Sequence, residues 1–421
     1  MTPRALLVEM ADWPMAAALP RALRAAGFRV AVLAMPGALI RKSAHVDRFL
    51  DYSWYAMRHG AVIRAIKSWD PAVVIPCDDD ALDMLCRIRQ DVARRRPWMV
   101  PRRVLRTIDR SIGRRSSYPA KRGRIAQLKA FEQAGIRTPA YSRIESVAEA
   151  AEFAGRFGYP VVLKIDASAA GQGVRICRNE SDLEPALQSL RSQIASADSG
   201  PGGALERLLF GGVTTPQREI SVQKFVRGRE AMRLFLSRNG EELGGISTLK
   251  FLRGNDGIGP ATVVDFVDIP EMARATDRLA RHLGHAGFGS LDFLVEDETN
   301  RAYAIELNSR LTAIAPLGPL VGVDLAGMWR DSLEGRPIRP ARFRAGGRVA
   351  LFPREWMRDP SSVHLRESFV DAPREDPELL RALVAWAEAR APQHGRMDLS
   401  AMQSDPAAVY RQRFRVPSSI G

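Results

Sequence analysis

The hydrophobic pattern of this chain changes period along its length, and that change restricts the folds open to it. Over about the first hundred residues, apolar runs alternate with amphipathic stretches: RALLVEM reads as a buried strand, PMAAALPRALRAAG as a helix stopped by Gly27, and FRVAVLAM as a second strand. Farther on, AVIRAIKSW is helical and PAVVIPCDDD is a strand that breaks into acidic residues. Strands joined by helices build an open, mostly parallel sheet whose ligands sit beyond the carboxyl ends of the strands. Asp78, Asp79 and Asp80 are therefore placed either to touch a substrate amine or to cap the helix ALDMLCRIRQ that follows. From REISVQKFVRG onward the period becomes that of strands, through EAMRLFLSRNGEELGGISTLKF and GSLDFLVEDETNRAYAIELNSR. Arg238-Asn239-Gly240 and the EDETN run supply hairpin turns, so these strands read as antiparallel.

With 421 residues, 46% of them apolar and 26% charged, the chain has the make-up of a soluble globular protein of about two to four compact units. The start, MTPRALLVEM, is interrupted by Glu9 too early for a signal peptide, and apolar runs long enough to span a bilayer are absent. A cytoplasmic protein without a membrane partner is expected. Cys77, Cys86 and Cys177 show neither disulfide nor zinc spacing and read as buried apolar residues, while His282 and His285 have the spacing of a helix surface. The net charge of +14 raises the question of a nucleic-acid partner, and between Arg87 and Arg124 there are 14 Lys or Arg residues against Asp91 and Asp109. Aromatic residues that could stack on bases are sparse there, so most of this charge is assigned to solvated faces.

Local signals punctuate the middle of the chain. A helix ends at Gly135, with Pro139 preventing its return, and Ser146-x-x-Glu149 and Ser181-x-x-Glu184 have the form of capping boxes. SADSGPGGALERLLFGGVTTPQ is rich in Gly, Ser and Pro and is expected to be a mobile excursion.

Two constellations carry chemistry. In VVLKIDASAAGQGVRIC an apolar run ends in Lys164, one of only seven lysines among 62 basic residues, and a small-residue loop follows. Gly171 and Gly173 let the backbone approach a ligand and aim N–H groups at phosphate oxygens, with Lys164 as a compact cation; a plain β-turn is the competing reading. In LDFLVEDETNRAYAIELNSR, Asp292 and Glu306 point the same way if the turn between them is a hairpin, and Asn308 shares the face of Glu306. Three hard oxygen donors without sulfur or imidazole suit Mg²⁺. Arg310, two residues on, completes the stripe.

These features, together with AGIRTP, GYPVVLK and VQKFVRGRE in that order, resemble the ATP-grasp superfamily over about Arg114 to Gly335. The resemblance implies an α/β and α+β architecture: an N-terminal open parallel α/β domain (1–113), linker helices with a small lid (114–228), an antiparallel catalytic subdomain (229–340) and a C-terminal extension (341–421). It implies ATP and Mg²⁺, or Mn²⁺, as cofactors. Lys164 would contact the ATP phosphates under a loop that begins at Ser168, and Arg124 would stand where the family often has a lysine. Gln223 occupies the place of an adenine-binding Glu, a departure from the family pattern in which the glutamine carbonyl still accepts. Lys224, Phe225 and Val226 would form the hinge beside adenine, and Glu230 would bind the ribose. Lys250 would lie near the transferred phosphate, the metal ligands would be Asp292, Glu306 and Asn308, and Arg310 would hold a substrate carboxylate or an oxyanion.

The reaction implied is phosphorylation of a carboxylate and attack by an amine, giving an amide or peptide bond with release of ADP and phosphate. Small carboxylic acids and amines, amino acids among them, are the expected partners, with pairing into a homodimer. Many amino-acid ligases of this superfamily follow the arginine with Gly-Gly, whereas here Leu311-Thr312-Ala313 follows, so the acceptor pocket is expected to be reshaped. The alternatives are a carboxylase or purine-pathway enzyme working through carboxyphosphate, a basic nucleic-acid-binding protein, and a nucleotide sensor without turnover.

Overall fold

The structure, a computed structural model, describes residues 2–51, 58–95, 97–165, 173–198, 219–254 and 259–411. Its first sheet joins β1 (Arg4–Val8), β2 (Arg29–Ala34), β3 (Arg48–Asp51) and β4 (Val73–Pro76) in the order β3-β2-β1-β4, every pair parallel. Leu6, Leu7, Val32 and Val74 are fully buried, as expected where helices cover both faces of a parallel sheet. Asp78 settles its own role here. Its Oδ1 accepts from the Ala81 N–H at 2.7 Å and caps the helix Asp79–Arg87, while its Oδ2 accepts from the N–H groups of Met10 (2.6 Å) and Ala11 (3.1 Å). It is a bracket between two strand ends, with both oxygens bonded to backbone N–H groups.

The second sheet is the lid: β5 (Tyr141–Ile144), β6 (Val161–Ile165), β7 (Val174–Cys177) and β8 (Ile220–Lys224), antiparallel in the order β5-β8-β6-β7. Helices Val147–Phe157 and Leu183–Asp198 cover one of its faces, burying Leu163, Ile165 and Val222 with Phe153 and Leu187. Strand alternation then turns Val162, Lys164, Ser221 and Gln223 to the other face. Ser146 caps its helix by accepting from the Glu149 N–H at 3.2 Å. The excursion expected after Ser196 falls largely outside the described residues.

The third sheet has seven strands: β9 (Gly228–Arg238), β10 (Glu241–Arg253), β11 (Ala261–Phe266), β12 (Gly287–Glu296), β13 (Ala302–Asn308), β14 (Arg348–Ala350) and β15 (Phe369–Val370), in the order β13-β12-β9-β10-β11-β14-β15. Asn239 (φ 54°) and Gly240 (φ 86°) make the tight turn from β9 to β10. Gly228 opens β9 where a Cβ would lie 2.3 Å from the Val295 carbonyl oxygen, so no larger residue fits that crossing. Helices Arg124–Gln133 and Pro270–Leu283 bury Leu128, Phe131 and Leu279 against Leu291, Phe293 and Leu307. β13 is an edge strand, and Gln127 closes it: Nε2 donates to the Leu307 carbonyl at 2.9 Å and Oε1 accepts from the Leu307 N–H at 3.2 Å.

Two expectations are corrected. The boundary at residue 340 divides this sheet, because β14 pairs antiparallel with β11 and β15 extends it; the segment after 340 belongs to the catalytic body. One core continues from the first sheet through Phe266 and Trp329 to Leu383 of the helix Pro377–Arg390, and Asp376 clasps the two ends by accepting from Ser43 Oγ (3.0 Å) and the Ala44 N–H (2.9 Å). His285 lies beyond its helix, not on its surface: it is 1% exposed, with Nδ1 2.7 Å from Ser237 Oγ. The three cysteines are buried and free, and among the described residues no helix is long and apolar enough to cross a membrane.

Glu9, at the end of β1, has a pH consequence. Oε1 accepts from the Trp13 N–H at 2.9 Å, Oε2 is buried without a partner among the described residues, and burial pushes the carboxyl up to about 8 from an ordinary 4.5. The folded form keeps a proton that the unfolded chain releases, so stability is fully present below about pH 4.5 and is lost as the pH rises through about 8. Glu9→Gln is expected to exceed the wild type in stability at pH 8, the gap closing toward pH 5, in urea unfolding followed at both pH values.

Candidate functional site

The lid and the seven-stranded sheet are joined by residues 225–227, and Lys164 of the lid lies within electrostatic reach of Asp292 on β12, Glu306 on β13 and Glu230 on β9. Lys164 is 8% exposed and forms no ion pair with the described residues. Burial, and then the neighbouring Arg124, pull its ammonium down to about 7 against the opposing pull of Glu306, Glu230 and Asp292. Such a buried, under-compensated lysine is ready for an anion. Gly173 closes the hairpin, its carbonyl accepting from the Ile165 N–H at 3.0 Å; Ser168 and Gly171 lie outside the described residues.

Opposite stand the oxygen donors. Asp292 pairs directly with Glu306 across the β12–β13 ladder, a register irregularity follows at once, and Asn308 pairs with Ser290. Asp292 Oδ1 is buried and has no partner among the described residues; burial pushes this carboxyl to about 6, with Glu306 and Glu230 adding to the rise and Lys250 opposing it. A buried, unpaired carboxylate oxygen beside a second carboxylate and an amide oxygen is a donor set for a hard divalent cation that keeps other oxygen ligands. Arg124, buried at the start of its helix, donates from Nη1 to the Ile305 carbonyl (3.3 Å) and holds Nη2 3.5 Å from Glu306.

The other expected residues fall into two groups. Glu230 is engaged on both oxygens, by Lys250 (2.7 Å) and Arg253 (2.7 Å), so a ribose contact there requires one cation to yield. Burial alone would depress Lys250, yet Asp292 and Glu230 outweigh it and hold its ammonium above the ordinary value. In the crossover Val226 is buried, Phe225 is half-buried and Lys224 is exposed, while Gln223 beside them is 1% exposed.

Arg310 reaches out of the stripe toward the first domain. Nε donates to Asp79 Oδ1 at 2.7 Å, Nη1 to the Leu311 carbonyl at 3.3 Å and Nη2 to Asn308 Oδ1 at 3.4 Å, and the guanidinium lies 4.7 Å from the centre of the Trp13 ring. Trp13 and Arg354 were missed from the sequence. Arg354 follows Pro353 on a short helix, where burial and the charge of Arg310 lower it to about 10 against the pull of Asp371. An arginine beginning a helix in FPREWMRD was the available signal, but nothing in the linear pattern places it beside residue 310. A separate groove of about 530 Å³, lined by Arg137, Glu271, Arg274 and Tyr303, contains none of these residues.

The match to known families falls on both halves of this cleft. An ATP-grasp domain profile matches residues 129–198, and a profile described as carbamoyl-phosphate synthase L chain, ATP binding domain, matches 252–330. The chain is a member of the ATP-grasp superfamily. Among curated relatives, biotin carboxylase 1 of Bacillus subtilis is 26% identical over 198 residues, 46% of this chain and 42% of that protein. The matched stretch spans less than half the length of the curated carboxylases at the head of the comparison. Among solved structures, the biotin carboxylase domain dimer of Hydrogenobacter thermophilus 2-oxoglutarate carboxylase, in complex with MgADP, ADP and bicarbonate, has a TM-score of 0.54 at 16% identity, over 83% of this chain and 73% of that one. N5-carboxyaminoimidazole synthetase of Staphylococcus aureus, complexed with ADP, has a TM-score of 0.56 at 11% identity, over 82% and 80%. At these identities the structures establish the ATP-grasp fold.

Lys164→Ala is expected to weaken MgATP binding by about ten- to a hundredfold, the range of a lost charge-assisted contact. Calorimetric titration checks it, with Lys164→Arg retaining part of the affinity.

Proposed function

We propose that this ATP-grasp enzyme uses ATP to phosphorylate a small carboxylate, bicarbonate in the first reading, and passes the activated carboxyl carbon to a nitrogen acceptor. The observation that carries it is that buried Lys164 of the second sheet lies within electrostatic reach of Asp292 and Glu306, which pair with each other across β12 and β13 two residues before Asn308. The reading is supported by the carboxylases among the curated relatives and by the structural relative complexed with MgADP and bicarbonate. This reverses the order of preference drawn from the sequence, where an organic acid and an amine came first.

The residues divide the work by charge. Lys164 and Arg124 hold phosphate oxygens, and Lys250 adds a cation beside Asp292. A magnesium ion held by Asp292, Glu306 and Asn308 would neutralise the charge spread over the transferred phosphoryl group. Arg310, steadied by Asp79 and Trp13, keeps two N–H groups beyond those already bonded, and its fork suits a planar carboxylate. The carboxylate oxygen attacks the γ-phosphorus, ADP leaves, and the acceptor nitrogen then displaces phosphate from the carboxyl carbon. Positioning and charge neutralisation suffice, so no side-chain nucleophile is required.

The second reading, an organic acid joined to an amine, draws on the exposed carboxylate Asp79 beside Arg310, which suits an ammonium group. A homodimer remains part of the proposal, in line with the domain dimer named above.

The test is ADP and phosphate release by the full chain with MgATP, in bicarbonate-depleted buffer and with bicarbonate restored. Bicarbonate-dependent ADP formation is expected, falling at least about a hundredfold in Glu306→Gln, which removes charge without volume. Turnover that needs an organic acid and an amine selects the second reading, and release of AMP overturns both.

A further inference from the structure

The groove at the start of β13 is lined by more positive charge than the fold uses. It holds about 530 Å³ between the loop 135–137, one stripe of the helix Pro270–Leu283 and the first residues of β13. Glu271, Arg274 and Arg278 are three and four residues apart, so they share that stripe. With Arg137 they bring three guanidinium groups against one carboxylate. Glu271 is itself engaged: Oε2 accepts from the Ala302 N–H at 2.9 Å, and Oε1 lies 3.5 Å from Arg137 Nη2, at the outer limit of a hydrogen bond. Two positive charges are left over.

Each arginine is held differently. Arg137 carries its guanidinium 5.5 Å from the centre of the Tyr303 ring, and its Nε is buried with no hydrogen-bond partner among the described residues. Arg278 donates from Nη1 to the Gly135 carbonyl at 3.2 Å, a bond that ties it to the facing wall. Arg274 is exposed and has no hydrogen bond or ion pair with the described residues. A buried donor without a partner is costly, and the arginine fork matches the paired oxygens of a carboxylate or a phosphate. We infer that this groove is a second anion site, which takes a small molecule bearing two or more carboxylate or phosphate groups, held by Arg137, Arg274 and Arg278.

The groove lies apart from the nucleotide cleft. Its wall braces β13, the Arg137 carbonyl accepting from the Ala304 N–H at 2.8 Å and Thr138 Oγ1 donating to the Ala304 carbonyl at 3.0 Å. Glu306 is three residues beyond Tyr303 on that strand, about 10 Å along an extended chain. The inference therefore stands or falls independently of the proposed function.

Calorimetric titration of the full chain, without nucleotide or magnesium, with inorganic pyrophosphate and with the tricarboxylate tricarballylate tests it. Saturable binding of at least one probe below about 10 mM is expected, weakening as salt is added. Arg274→Gln should weaken it about tenfold and Arg137→Gln at least as much, whereas Lys164→Ala, which removes the cleft's own hold on pyrophosphate, should retain a site of the same affinity. A preference for pyrophosphate identifies the ligand as a phosphate compound, and a preference for tricarballylate identifies it as a polycarboxylate. Binding that survives both groove variants, or that disappears in Lys164→Ala, puts the anion elsewhere and overturns the inference, as does the absence of saturable binding by either probe. Arg274 bonds to nothing among the described residues, so Arg274→Gln reports on the groove without disturbing the fold.

Discussion

The direct pairing of Asp292 with Glu306 across β12 and β13 is the constraint on which the site depends. Two carboxylates held side by side repel, and one of them has a buried oxygen with no partner among the described residues, so the ladder must be fixed by other interactions. Gln127 provides one by bonding both backbone groups of Leu307 between Glu306 and Asn308, and packing of Leu291, Phe293 and Leu307 under two helices provides the rest. The polypeptide thus holds its acidic floor in place through contacts along the edge of the sheet and on its opposite face. The cations come from other elements: Lys164 from the lid, Arg124 from a helix and Lys250 from β10. Opposite charges meet only when all of these are assembled, so the site is a property of the tertiary fold and of no single segment.

Much of this was legible in the sequence because it rests on short-range periodicity. The turn at Asn239-Gly240, the caps at Asp78 and Ser146, and the shared face of Asp292 and Glu306 each depend on residues close in the chain or on one hairpin. What escaped depends on distant segments. That Asp79 would meet Arg310 requires the end of β4 to approach the end of β13, 231 residues away, and no local pattern encodes that distance. Trp13 reads as an ordinary apolar residue until an arginine is placed over it. The boundary set at residue 340 failed for the same reason: β14 and β15 are short strands whose place is decided by pairing with β11, not by their own composition.

The continuity of the core bears on how the molecule moves. The first sheet, the seven-stranded sheet and the C-terminal helix share one set of buried side chains, whereas the lid has its own. A small sheet with a separate core, joined through the short crossover 225–227, shares few buried side chains with the rest.

Arg310 links the first domain to the end of β13. Its Nε is bonded by a carboxylate of the first domain and its plane is stacked on an aromatic ring of that domain, so its rotamers are restricted before any substrate arrives. An arginine left to swing in solvent would lose side-chain entropy on every binding event, whereas here most of that loss occurs on folding. The N-terminal domain therefore acts through orientation: Asp78 fixes the strand ends, Asp79 and Trp13 fix the arginine, and the arginine lies within electrostatic reach of Glu306 and Asp292. A substrate carboxylate that replaced the pairing with Asp79 would free this acidic residue for an incoming amine, whereas bicarbonate, small enough to use the remaining N–H groups, would leave the pairing intact. On the proposed function, the two chemistries would then differ in whether Asp79 must let go of Arg310.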